Sequence, residues 1–244
     1  MDGISYNLAG AKEVSEKIVD GLKAIATEVE GQWPTLISTF QKNWVGEDEA
    51  AFENVLARTI QEVYANCEIV VNNAATFVVD AANSFAQFQS SIATSSFGGE
   101  GIAVVSNDTT SHTVNSNSNF TLEVKPQTFD ESTQRGLQSA GASQELITGI
   151  ETFVTAIKSK MEEIYGAIDL GTSFVGSEQK PAMTGFIQSI GENSAKLLSV
   201  ADKFINETIP ELAAAYQQQQ TQVSEDAAAA SNTIADEVSS ATGN

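Results

Sequence analysis

The sequence predicts a mainly α-helical protein: two long antiparallel helical hairpins in tandem, four-helix-bundle-like, with a small β-hairpin insert between them. Three observations carry that prediction. Apolar residues recur at spacings of 3 and 4 over long stretches, which is the stripe of one helix face. The same stripe returns in the second half of the chain at a nearly constant offset. Between the two copies the pattern switches to period 2, the signature of strands.

The first stripe is Ile18, Leu22, Ile25, Val29, Trp33, Leu36 and Phe40. Pro34 falls within it and should kink or interrupt the helix near Gly31. After Trp44-Val45-Gly46 a second stripe starts at Phe52 and runs through Leu56, Ile60, Val63, Cys67, Val70 and Ala74 to Phe77, Ala81, Phe85 and Phe88. About 45 residues of helix, at about 1.5 Å per residue, would span roughly 65 Å. Rods of that length with one apolar face must bury it against a neighbour, and the short connection at Gly46 makes the two helices antiparallel. Glu47, Asp48 and Glu49 would sit in the first turn of the second helix, where carboxylates favour the positive end of the macrodipole. Trp44 is expected to pack across the turn. Gly46 is expected to supply a backbone conformation closed to other residues.

Residues 96–135 change character. Phe97-Gly98-Gly99-Glu100-Gly101 breaks the helix, and Ile102, Val104 and then Phe120, Leu122, Val124 alternate with polar residues. Turn formers join them, so a β-hairpin is expected, with a polar linker as the plain alternative. The third stripe, Leu146 to Ile168, repeats the first at an offset of 128. Phe174-Val175-Gly176 answers the Trp-x-Gly turn at an offset of 130, and Phe186, Ile190, Leu197, Val200 and Phe204 continue in that register. Asn193 interrupts the match, and Pro210 should bend the last helix. The organisation read from this is residues 1–95 and 136–222 as helical hairpins, 96–135 as the insert, and 223–244 as a low-complexity tail or solvated helix. Leu56, Ile60, Val63, Phe186, Ile190 and Leu197 would form the helical seam. Trp44, Gly46, Phe174 and Gly176 mark the turns, where a partner could dock.

Composition narrows the function. The chain of 244 residues carries 12 Lys and Arg against 32 Asp and Glu, a net charge of −20. The excess is spread along the chain, and such a surface repels phosphate backbones, so nucleic acid is not an expected partner. With one His (His112) and one Cys (Cys67), a His/Cys metal site or a Cys-His pair has almost nothing to draw on. Glu47, Asp48 and Glu49 lack the alternating ligands and glycine of an EF-hand loop. No nucleophile elbow, phosphate-binding glycine loop or zinc-protease motif is present, so neither catalysis nor a cofactor is expected. No stretch reaches about 18 consecutive apolar residues, and the first residues lack a basic, apolar signal peptide, so a membrane is not an expected partner.

A helix, a tight Trp-x-Gly turn and an antiparallel second helix resemble the WXG superfamily, small acidic helical hairpins associated with type VII secretion in Gram-positive bacteria. Trp44-Val45-Gly46 carries the motif, with a degenerate Phe174-Val175-Gly176 in the second copy, and the resemblance covers residues 5–90 and 137–220. It implies a protein partner or self-assembly through helix faces, and a place outside the cell or on its surface reached without a cleaved signal peptide. The alternative places the same fold in the cytoplasm or in a particle. The family's export signal, Tyr-x-x-x-Asp/Glu after the second helix, is missing: Tyr216 is followed by Gln220, and Phe85 by Gln89. Tyr64 with Glu68 and Tyr165 with Asp169 have the spacing but fall inside expected helices. A rival reading is a helical pore-forming protein, with the 97–125 ribbon as a membrane-seeking tongue. The polar Asn107–Thr113 and Asn115–Asn119 segments weigh against it.

Overall fold

The computed structural model describes residues 7–97, 120–124, 136, 140–170 and 180–242, and these are mainly helical. Helix α1 (Leu8–Asn43) begins where the Asn7 side chain accepts from the N–H groups of Ala9 and Gly10, at 2.9 and 3.2 Å, satisfying two donors that a helix start leaves open. It runs without a break across Pro34. Proline denies the Glu30 carbonyl its helix donor, but both residues are on the exposed side, where water can replace it. Helix α2 (Glu47–Phe97) is a single rod of 51 residues.

Helix α3 (Ala140–Gly166) and helix α4 (Lys180–Leu197) follow. A short α5 (Val200–Lys203) then leads into a π turn at Phe204–Thr208 and the 34-residue α6 (Ile209–Thr242). The π turn lies directly before Pro210. Ile209 N–H reaches back to the Phe204 carbonyl, five residues away, so the helix widens by one residue where proline cannot donate.

Contacts between helices fix their directions. The Phe40 and Phe52 rings meet at 5.5 Å, and the Tyr64 hydroxyl reaches the Leu22 carbonyl at 3.5 Å, so α1 and α2 run antiparallel. Trp33 meets Phe153 at 6.3 Å, and Tyr165 donates to the Ile18 carbonyl at 3.2 Å, so α3 is antiparallel to α1. Phe77 meets Phe186 at 5.0 Å, and Cys67 Sγ donates to the Ser194 carbonyl at 3.9 Å, which sets α4 antiparallel to α2. The result is bundle-like, with one continuous core drawn from all four long segments.

Close packing has its own residue logic. A Cβ on Gly191 would stand 3.0 Å from the Met161 carbonyl and 3.1 Å from Tyr165 Cβ, so glycine lets α4 lie directly on α3. The inward face of α4 is Met183, Ile187, Ile190 and Ser194, and the buried Leu198 follows in the turn after it. Ser194 therefore takes the inward position next to the exposed Asn193, where the offset match breaks.

The β-hairpin insert is not seen, and the described residues contain no strand. Residues 120–124 form an extended strap lying on the helices instead. Leu122 is buried, Phe120 stacks on Tyr64 with centroids 4.3 Å apart, and Trp33 Nε1 donates to the Glu123 carbonyl at 2.9 Å. The period-2 alternation is real, but it sorts Phe120, Leu122 and Val124 toward the helices and Thr121 and Glu123 toward solvent. The remainder of the expected hairpin, including Ile102 and Val104, lies outside the described residues. The 223–244 segment, read as a tail or a solvated helix, is helical through Thr242.

Candidate functional site

The end of the bundle where α1 turns into α2 concentrates the unusual chemistry. Trp44 is fully buried there. Its ring tilts on Phe52 at 5.5 Å and meets Tyr216 edge-on at 6.4 Å, so α6 closes over the turn. Its Nε1 donates to Oδ2 of the exposed Asp48 at 3.1 Å, which gives the buried indole's N–H a partner at the edge of the core. Gly46 serves this arrangement differently from the sequence-based expectation. Its backbone is not left-handed, and the need for glycine is steric: an added Cβ would stand 2.5 Å from Asp48 Oδ1. Asp48 cannot swing away without losing the Trp44 bond.

Glu49 is not simply a helix-start carboxylate. It points inward with Glu53, and each is only 1% exposed. Taken as two carboxylates, both oxygens of Glu49 and Oε1 of Glu53 are buried without a donor. A proton on Glu53 would make it a donor to Glu49 and satisfy part of this deficit. Burial is the main reason the Glu53 carboxyl is pushed up to about 9; its hydrogen bond to Glu49 and that neighbour's charge add to the rise, and a hydrogen bond with Gln41 opposes it. Glu49 is also raised, first by burial; the bond to Glu53 opposes that and the Asp48 charge adds to it. Near neutral pH burial therefore favours a protonated Glu53 in the interior.

The sequence carries a signal for this pair. Glu49, Glu53, Leu56 and Ile60 follow one another at spacings of 4, 3 and 4, so two acids occupy the start of the apolar stripe. Carboxylates at core positions are the signal.

The other marked residues separate. Leu56, Ile60, Val63 and Ile190 are buried in the common core, while Phe186 is half-buried at its edge against Phe77. The side chain of Leu197, and Phe174 and Gly176 entirely, lie outside the described residues. Tyr64 and Tyr165 are core residues hydrogen-bonded to α1 carbonyls. Cys67 is buried, and desolvation pushes its thiol up to about 11, leaving it a small apolar filler.

Two grooves flank α1. One of about 790 Å³ lies between α1 and α3, lined by Gln32, Thr35, Thr39, Gln144 and Thr148. Its end is tied by Lys42 and Asn43, which donate to Glu145 at 3.3 and 2.8 Å. The other, about 390 Å³, lies between α1 and the strap, beside Trp33, Ile37 and Gln41. Among the described residues no cluster of three potential metal-ligating side chains occurs. No protein-family model, curated protein or solved structure matches this chain.

Proposed function

We propose that this is a non-catalytic interaction protein of the WXG-like kind, acting through helix faces against itself or a protein partner, with type VII export as its route out of the cell. The observation that carries the reading is the Trp44-Val45-Gly46 turn, with its buried indole between two long antiparallel helices. Support comes also from the chain's investment in helix surface beyond its own core. Exposed Phe77 and Phe88 line the far part of α2, and residues 217–233 of α6 are exposed on every side. A helix that buries nothing is marginal alone in water, which favours a role in contacting something else.

The pore-forming alternative is less well supported. Phe120 and Leu122, which a membrane-seeking ribbon would offer to lipid, are engaged by Tyr64 and the bundle core. No described helix is long and apolar enough to cross a membrane.

The test is expression in a Gram-positive host with its type VII apparatus intact or deleted. The expected result is protein in the medium of the intact strain only. Equal retention in both strains would remove the export part of the proposal.

A further inference from the structure

Three surface grooves flank α1 and the strap, and they differ in what their side chains still have to offer. In the α1–α3 groove the carboxylate of Glu145 already accepts from Lys42 and Asn43. A groove of about 380 Å³ on the α2 side of the strap is lined by Arg58, which pairs with Glu62 at 3.8 Å, and by no acid. The groove of about 390 Å³ between α1 and the strap is different. Among the described residues it carries two carboxylates, Glu30 and Glu123, and no cationic side chain, and neither acid forms an ion pair.

The rest of its lining suits the same kind of occupant. Pro34 leaves the Glu30 carbonyl without its helix donor, and Ser38 and Thr121 add hydroxyl oxygens. The side chains that carry N–H groups are already engaged: Trp33 donates to the Glu123 carbonyl at 2.9 Å, and Gln41 to the buried Glu53. The Trp33 bond also pins the strap, so Glu123 is held at the edge of the groove. Ile37 and Leu122, both buried, give the groove an apolar floor.

We propose that this groove seats an arginine side chain of a basic partner segment, with the guanidinium between Glu30 and Glu123 and the methylene stem on Ile37 and Leu122. The inference rests on the interaction reading above and names the chemistry of the partner. A guanidinium brings five donors and no acceptor, the complement of side chains that offer acceptors and have used their donors. One positive charge between two acids also relieves their mutual repulsion. The net charge of −20 draws a basic segment in and repels a second copy. Lysine, a point charge with three donors, matches the two separated acids less well.

The experiment is fluorescence anisotropy of a labelled, end-blocked tri-arginine peptide titrated with the full chain at about 0.15 M salt, where the Debye length of about 8 Å screens distant acids. The expected result is saturable binding that Glu30→Gln and Glu123→Gln each weaken about fivefold, the scale of one exposed charge pair. Glu162→Gln, the same charge change on the exposed side of α3, should leave it within about twofold. Ser38→Phe fills the groove from an exposed position without altering charge and should abolish binding at unchanged helicity. No saturable binding, or equal losses for Glu162→Gln and Glu30→Gln, would overturn the proposal. So would binding that survives Ser38→Phe, or a tri-lysine peptide that binds as well as tri-arginine. None of these outcomes bears on export, so the two proposals fail separately.

Discussion

Glu53 sets a pH dependence whose sign is unusual for a carboxylate. Its folded value of about 9 stands above the ordinary 4.5, so across that interval the folded protein holds a proton that the unfolded chain releases. The stabilisation is complete below the unfolded value and is lost as pH rises toward the folded one. Glu53→Gln keeps the shape and a donor for Glu49 without needing a proton. It should melt higher than the wild type at about pH 8, with the gap closing near pH 4; an unchanged melting curve at both pH values would show that the pair is not desolvated. Trp44 is the other residue whose removal should be felt widely. It touches Phe52 and Tyr216 and bonds Asp48, so Trp44→Ala should cost about 3–5 kcal/mol in denaturant unfolding. Trp44→Phe should cost much less, because Asp48 is exposed and recovers water.

The strap at 120–124 shows how an element can satisfy a pattern without adopting the structure the pattern suggests. Alternation over five residues fits a strand in a ladder or an extended chain on a flat apolar surface equally well. The helices supply that surface, and Trp33 Nε1 supplies one of the hydrogen bonds a neighbouring strand would otherwise give. Leu122→Ala should lower stability by at least about 2 kcal/mol, measured by urea unfolding, because it empties a buried site over α1 and α2. Near-wild-type stability would mean that the strap rests on the bundle without supporting it. The prolines make the companion point. Pro34 sits on a solvated face and leaves α1 intact, whereas Pro210 follows a π turn that absorbs the missing donor.

For the whole molecule, core and projections separate cleanly. Residues 217–233 of α6 are exposed throughout, so deleting residues 224–244 should leave the thermal midpoint unchanged while reducing helical ellipticity. A large fall in the midpoint would mean that the projecting helix supports the bundle. The distal part of α2 exposes Phe88 and Ile92 among Ser, Ala and Gln, whereas residues 217–233 of α6 expose one large apolar side chain, Val223.

The sequence by itself determined that long helices would form and which side of α1 would be buried, because a 3–4 periodicity over twenty residues reports a face directly. It also marked Trp44 as the residue around which the first turn is built. Tertiary structure decided what periodicity cannot carry. The rotation of α4 placed Ile187 and Ser194 inward beside Ile190 and left Phe186 at the edge. The strap's hydrogen bond went to Trp33, a residue ninety positions away. The conversion of Glu49 from a helix-start charge into half of a buried, proton-sharing pair depended on what packed over it. Local spacing states which residues share a face; only the opposing surface decides whether that face meets a core, a strap or water, and with it the ionisation of every acid the face carries.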